Sequence, residues 1–207
     1  MAELVVEILD YWHAGSSRGS GVAADATCLT DRKGLPYLPG RHLKGLIRDA
    51  VGRCPLVTEH APGRTPQEVV QRLFGSQGFK AVPGTEGRQV IEQTKQGALA
   101  FSDARLPRAL RQRLGGRDRS LVPHLFAGLS QTAVAHDRGA AKAGSLRRTE
   151  VAVPLTLTAT IEWEETGDPA PDLPWQAILS DALPLVMAVG RQRSRGLGRC
   201  RMHLEGN

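Results

Sequence analysis

The sequence predicts an α+β domain, and three stretches carry the prediction. Residues 151–163, VAVPLTLTATIEW, set Val151, Val153, Leu155, Leu157, Ala159, Ile161 and Trp163 on one parity and Thr156, Thr158, Thr160 and Glu162 on the other. Such long alternation marks a strand with one face in a core. After Pro39-Gly40, Leu43, Leu46, Ile47, Ala50 and Val51 recur at i, i+3, i+4, i+7 and i+8, the spacing of an amphipathic helix. Near the end of the chain, residues 198–205 alternate Cys200, Met202 and Leu204 with Arg199, Arg201 and His203, a second half-buried strand.

The other elements follow in order. LVVEIL (4–9) reads as a buried strand, and HAGSSRGSGVAADA (13–26), rich in Gly, Ser and Ala without a period, as a loop. The helix after Pro39-Gly40 is expected to stop at Gly52. PQEVVQRLFG (66–75) turns Val69, Val70, Leu73 and Phe74 to one side, a second helix. Residues 76–96 hold turn formers and read as a loop or small insertion. GALAFSDARL (97–106) alternates briefly as a strand, and residues 105–119, with six arginines, read as a polar connector, helical in part. WQAILSDALPLVMAVG (175–190) reads as a helix with Pro184 as a kink point and Gly190 as its stop. The order is β-α-β-β-α-β, the ferredoxin-like pattern that RNA-recognition-motif domains share. The expected organisation is one domain over 1–207. Its core covers about 1–55, 97–104 and 150–207, with an inserted helical lid over about 56–96 and a connector and thumb hairpin over about 105–149. The central strands carry no aromatic pair for stacking bases in the manner of that motif.

At 207 residues the chain can bury a core of its own, and no apolar run approaches the 18 residues of a membrane span. MAELVVEILD lacks the basic start and small-residue cleavage site of a secretory signal. Cys28, Cys54 and Cys200 are too far apart for a metal knuckle and odd in number, which suits a reducing compartment; the cytoplasm is the expected location. Net charge is +6, and 22 of the 27 basic residues are arginine. Arg191, Arg193, Arg195, Arg199 and Arg201 fall within eleven residues, as do Arg138, Lys142, Arg147 and Arg148. Clusters beside glycine-rich turns fit phosphate contact better than solvation, so nucleic acid is the first expected partner.

The segment LPYLPGRHLKGLIRDA (35–50) poses a problem of charge. A helix N-terminus is already electropositive, yet its first turn carries Arg41, His42 and Lys44, which implies an anion close by. Gly190, Gly196 and Gly198 bracket RQRSRG and let main chain approach a ligand closely. That loop lacks the GKS/T of a Walker A loop and does not complete a dinucleotide fingerprint. Asp25 stands alone in the uncharged VAADATCL, with an Asx-turn as the plain alternative to a functional role.

Three segments, in order, resemble the RAMP superfamily of CRISPR effector proteins. GVAADATCLTDRKGLPYLPGRHLKGLIRDAV is similar to its PxxPGxxLKGxxR signature, HDRGAAKAGSLRRTEVAVPLTLTATI to its thumb region, and VGRQRSRGLGRCRM to its glycine-rich loop, GxxxSRGxG. YWHAG, RLFG and ALAFSDARL match the intervening elements, and the resemblance fails mainly at 76–96 and 105–130. Size and motifs look nearest to the backbone subunit of type III (Csm/Cmr-type) interference complexes.

The resemblance implies a subunit that grips guide (CRISPR) RNA by its phosphates, stacks head to tail with copies of itself and other effector-complex subunits, and meets target RNA. It implies RNA contacts at His13, Arg18, Arg41, His42, Lys44, Arg48, Arg138, Arg147, Arg148, Arg193, Arg195, Gly196 and Gly198. It implies a catalytic role for Asp25, alone or through a divalent cation, Mg2+ or Mn2+, in cleavage that gives a 2′,3′-cyclic phosphate. A non-cleaving backbone subunit, a guide-processing endonuclease and a general single-stranded RNA binder stay open alternatives. No membrane partner is expected.

Overall fold

The computed structural model describes residues 1–15, 26–76, 79–80, 90–91, 95–134, 139, 141–142, 144–164 and 173–206, at 79–80 and 90–91 by backbone alone. Asp25, Arg18 and Arg138, with residues 140 and 143 of the expected thumb tip, lie outside the described residues.

Strand β1 (Ala2–Ile8) leads through a long arm to helix α1 (Gly40–Arg53), followed by α2 (Val57–His60) and α3 (Pro66–Phe74). The two-residue strands β2 (Phe79–Lys80) and β3 (Val90–Ile91) pair with each other, and β4 (Leu99–Phe101) returns to the core. Helix α4 (Arg108–Leu114) and a 3-10 segment (Arg119–Leu125) lead to β5 (Phe126–Gln131) and β6 (Arg147–Ala152), and then β7 (Thr156–Trp163). Helix α5 (Trp175–Ala182), 3-10 turns at Leu183–Leu185 and Arg193–Arg195, and β8 (Cys200–Glu205) complete the described chain.

β4, β7, β1 and β8 form one antiparallel sheet in that order, with Leu4 opposite both Ala159 and Leu204. Alternate residues of this sheet are buried: Leu4, Val6 and Ile8; Leu157, Ala159 and Ile161; Cys200, Met202 and Leu204. They join Leu43, Ile47, Ala50 and Val51 of α1 and Ile178, Leu179 and Ala182 of α5 in one core. Burying a Leu, Ile or Val side chain stabilises by about 1.5–3 kcal/mol, so register and helix phase are fixed together. With β1 and β7 at the centre, this is the ferredoxin-like arrangement.

Three expected elements take a different form. The strand over 151–163 is two strands, because Pro154 has no N–H for a ladder. β6 pairs with β5 from Phe126↔Ala152 to Gln131↔Arg147, and β7 enters the main sheet. The strand over 97–106 holds a bulge. Phe101 faces Ile161 and Arg105 faces Thr158, so this side of the ladder has one residue more, and Asp103 is thrown out of it. The helix over 175–190 ends at Ala182, where Pro184 turns it into a 3-10 segment. Conversely α1 continues past Gly52 to Arg53. α4 lies in the stretch read as a polar connector, and β5, which carries no strand signal of its own, forms the expected thumb hairpin with β6.

Candidate nucleic-acid interface

The glycine-rich loop is built by its own backbone. Gly190 has φ +80°, and a Cβ there would sit 2.6 Å from the His13 carbonyl oxygen. The Arg191 N–H donates to that same oxygen at 2.8 Å. Gly198 has φ +73°, and a Cβ would meet the Val189 oxygen at 2.0 Å. Its N–H donates to Tyr11 O, and its own carbonyl accepts from the Val189 N–H, both at 2.8 Å. No other residue type combines that conformation with that closeness. Between the two glycines, Gln192 is left-handed at φ 59°, and Arg193–Arg195 make one exposed 3-10 turn. Gln131 at the end of β5 donates through Nε2 to Gln192 Oε1 at 3.0 Å, tying the thumb hairpin to the loop.

The start of α1 is fixed from two sides. A Cβ on Gly40 would lie 2.3 Å from Phe101 O and 2.7 Å from Ser102 O, so only glycine lets the helix abut β4. The Gly40 N–H donates to Asp103 Oδ1 at 3.0 Å. The bulged aspartate therefore caps the electropositive end that the sequence leaves without an acid. Asp103 also receives Arg105 Nη2 at 2.8 Å. Of the N–H groups at the Pro39-Gly40 turn, that of Gly40 serves Asp103, and that of His42 donates to Pro39 O at 2.9 Å.

His42 reaches across to the glycine-rich loop. The Gly190 N–H donates to its Nε2 at 3.0 Å, so this nitrogen carries no proton. Burial lowers its pKa, and Arg193 adds to the effect, holding the ring neutral. Lys44 leaves the helix in another direction: its Nζ donates to Leu99 O at 2.9 Å, tying α1 to β4, and burial lowers its pKa.

Between these parts lies a cleft of about 410 Å³, lined by Ala14, Gly15, Leu29, Pro39, Arg41, His42, Gly190 and Arg191. Its walls come from the end of the first strand, the arm, the start of α1 and the glycine-rich loop. Four segments distant in sequence thus share one opening with two arginines on its rim. Arg41 and Arg191 are exposed there, as are Arg193 and Arg195 on the adjoining turn. Gly196 has φ +85° and nothing within 4 Å of a Cβ position, so it faces open space. Arg147 and Arg148 are exposed on β6, and Arg48 is half-buried along α1. Sequence reasoning left Arg191 off the site, although its cluster was visible.

His13 is 1% exposed and stands under the cleft rather than in it. Its Nδ1 lies 2.7 Å from the Glu150 carbonyl oxygen and must donate there, so the other nitrogen holds the lone pair. That Nε2 has no partner among the described residues. Burial lowers the pKa, outweighing the Glu150 carbonyl that raises it, and the ring is neutral. Cys28 donates through Sγ to the same Glu150 oxygen at 3.3 Å, and its thiol is pushed up to about 12, mainly by burial. A protonated thiol beside a committed imidazole gives no nucleophile–base pair. The two side chains instead bind the first strand's end and the arm to β6. Glu150 completes the junction, accepting the Cys28 N–H on Oε1 at 2.9 Å and donating its own N–H to Ala26 O at 2.9 Å.

Asp31 is spent on local order. Its Oδ1 accepts the N–H groups of Lys33 and Leu35, and its Oδ2 faces Arg105 at 3.5 Å. Among the described residues no group of three His, Cys, Asp or Glu could hold a metal ion. Among them too, no helix is long and apolar enough to cross a membrane.

These features define a ferredoxin-like domain with a thumb hairpin and a basic cleft closed by a glycine-rich loop. The chain belongs to the RAMP superfamily, whose family model matches residues 5–201. No curated protein matches it in sequence. It is similar in structure to a chain of the type III-B Cmr-beta complex solved by cryo-EM bound to cognate target RNA, with a TM-score of 0.63 at 10% identity over 98% of this chain and 96% of that one. A chain of the type III-B Cmr-beta complex in its apo state gives a TM-score of 0.57 at 12% identity, covering 100% of this chain and 97% of that one. At such identities the likeness is one of fold.

Proposed function

We propose that this chain is a guide-RNA-binding backbone subunit of a type III RNA-guided interference complex. It assembles head to tail with further copies and other effector subunits along the guide, and it cleaves complementary target RNA at Asp25. The observation that carries the reading is the shared cleft. Arg41 and Arg191 line it, Arg193 and Arg195 continue it, and the one carboxylate bonded to the start of α1 among the described residues, Asp103, is drawn off to Gly40 and Arg105. A rim of guanidinium groups on a backbone-built loop grips sugar–phosphate without reading bases, as a subunit that must accept any guide requires. Membership of the RAMP superfamily supports this reading, as does a fold shared with a complex solved on target RNA.

For cleavage, Asp25 precedes Ala26, which is anchored to Thr149 and Glu150 of β6. The role proposed for the Asp25 carboxylate is to orient a 2′-hydroxyl for in-line attack. The 2′-oxygen bonds to phosphorus, the bond to the 5′-oxygen breaks, the hydroxyl proton passes to a base, and the leaving oxygen takes one from water. The products are a 2′,3′-cyclic phosphate and a 5′-hydroxyl. A divalent cation, if held by Asp25, would supply positive charge beside the scissile phosphate.

The test is Arg193→Glu with Arg195→Glu, read as guide-RNA affinity at physiological salt; a loss of at least a hundredfold is expected, and wild-type affinity refutes the reading. Asp25→Ala in the assembled complex separates cleaving from non-cleaving subunits. Target-RNA cleavage at the wild-type rate would show that Asp25 is not catalytic.

A further inference from the structure

A second cleft, of about 440 Å³, lies on the other flank of the arm, between residues 30–37 and α4. Arg32, Lys33, Arg105 and Arg111 line it, with Asp31 and Tyr37. Arg105 is already committed. Its guanidinium lies over the Tyr37 ring, 4.9 Å from the centroid, and its nitrogens face Asp31 at 3.5 Å and Asp103 at 2.8 Å. Asp31 in turn accepts two backbone N–H groups. Four cations against these two carboxylates leave a surplus of two positive charges, carried by Arg32, Lys33 and Arg111.

Arg111 differs from a solvated surface arginine. Its Nε is buried and has no hydrogen-bond partner among the described residues. An unmet buried N–H on a permanently charged group is costly to the free protein. Lys33 closes on the same wall, since a Cβ on Gly115 at the end of α4 would sit 2.8 Å from Lys33 Cδ. Arg111 nevertheless lines the cleft, so a compact negative charge there would lie beside a guanidinium whose Nε water does not reach.

We propose that this cleft is an oxyanion site taking one phosphate group of a nucleic-acid strand, with Arg111, Arg32 and Lys33 as its donors. It rests on the RNA-binding reading above only for the source of the phosphate. The site is separate from the glycine-rich loop, so a strand crossing the arm touches the protein at two places.

The full-length chain, labelled with 15N at arginine, is titrated with inorganic phosphate and with a ten-nucleotide oligouridylate at low salt, following the Nε–H signal that Arg111→Met removes. The signal is expected to move saturably with both probes. Arg111→Met is expected to bind the oligonucleotide about tenfold more weakly, the scale of one hydrogen bond to a charged group. Its log–log salt slope should be shallower by about 0.7. Its Tm should be unchanged or higher, because an unmet donor is gone. No movement with either probe overturns the proposal. So does movement with inorganic phosphate alone while the variant binds RNA as wild type does, since the ligand is then not a strand. A Tm loss above about 5 °C in Arg111→Met, on the scale of a lost structural contact, also overturns it. Arg193→Glu with Arg195→Glu separates the two readings: if it binds RNA normally while Arg111→Met does not, the glycine-loop assignment fails and this one stands.

Discussion

Gly40→Ala should be among the most damaging single-methyl changes in this protein, although it adds a better helix former. In an exposed helix interior, alanine gains about 1 kcal/mol over glycine. At position 40 the new Cβ would lie 2.3 Å from Phe101 O, 2.7 Å from Ser102 O and 2.9 Å from Ser102 C, all of them backbone atoms that no rotamer change can move aside. Relief requires α1 to lift from β4 by nearly an ångström, which also stretches the 3.0 Å bond from Gly40 N–H to Asp103. Overpacking of this kind costs about 1–3 kcal/mol, and the weakened hydrogen bond about 1 more. A net loss of about 2–4 kcal/mol lowers Tm by about 4–16 °C in a chain of this length. Gly45→Ala is the internal control. It lies in the same helix, exposed, with nothing within 4 Å of its Cβ position, and should raise Tm by about 2–4 °C. Thermal unfolding followed by circular dichroism reads both. If Gly40→Ala is as stable as wild type, the close approach of helix and strand is not what selects glycine in the Pro-Gly turn.

Lys44→Met should lower Tm, through loss of the bond to Leu99 O, and leave guide-RNA affinity and its salt slope unchanged; Arg41→Met should do the reverse. Fluorescence anisotropy at several salt concentrations, set beside the melts, checks the pair, and a flatter salt slope in Lys44→Met refutes the separation. Stability should also depend on pH. The pKa values of His13 and His42 are lowered from the ordinary 6.5 in the folded chain, so below that value the unfolded chain binds more protons. Stability is then complete above about pH 6.5 and falls as the pH drops below it. His42→Gln, which keeps an acceptor for the Gly190 N–H, should flatten the decline between about pH 6.5 and 5, and an unchanged slope in Tm against pH would count against a buried neutral His42.

What could be read from the sequence was what burial imprints locally. β7, β8 and α1 each present a long apolar face to one core, and their periods survive in the residue order. β5 left no such mark. Its residues range from exposed to half-buried, because the hairpin buries β6 and leaves β5 on the outside. The split at Pro154 was masked because β6 and β7 keep the same parity across it, so that Val151 and Leu157 are both buried. The charge of the α1 start was legible, but its neutralisation was not: Asp103 lies 63 residues from Gly40, and Gly190 lies 148 from His42. No local pattern reports contacts of that span. They depend on the bulge after β4 and on the glycine-rich loop reaching the helix.

The three glycines of that loop do not share one reason for being glycine. The sequence suggests that all of them open main chain to a ligand. In the structure Gly190 and Gly198 are closed in by the oxygens of His13 and Val189, so their missing side chains make room for the protein itself. Only Gly196 faces open space, at the end of the turn that carries Arg193 and Arg195. Two glycines thus build the loop and one presents it. The same division holds among the basic groups of α1, where Lys44 is turned inward to Leu99 and Arg41 outward to the cleft. A motif in which structural and ligand-facing residues alternate this closely cannot drift one position at a time. Moving Arg41 by one residue would exchange it with Gly40 or His42, which hold the helix start and the glycine-rich loop in place.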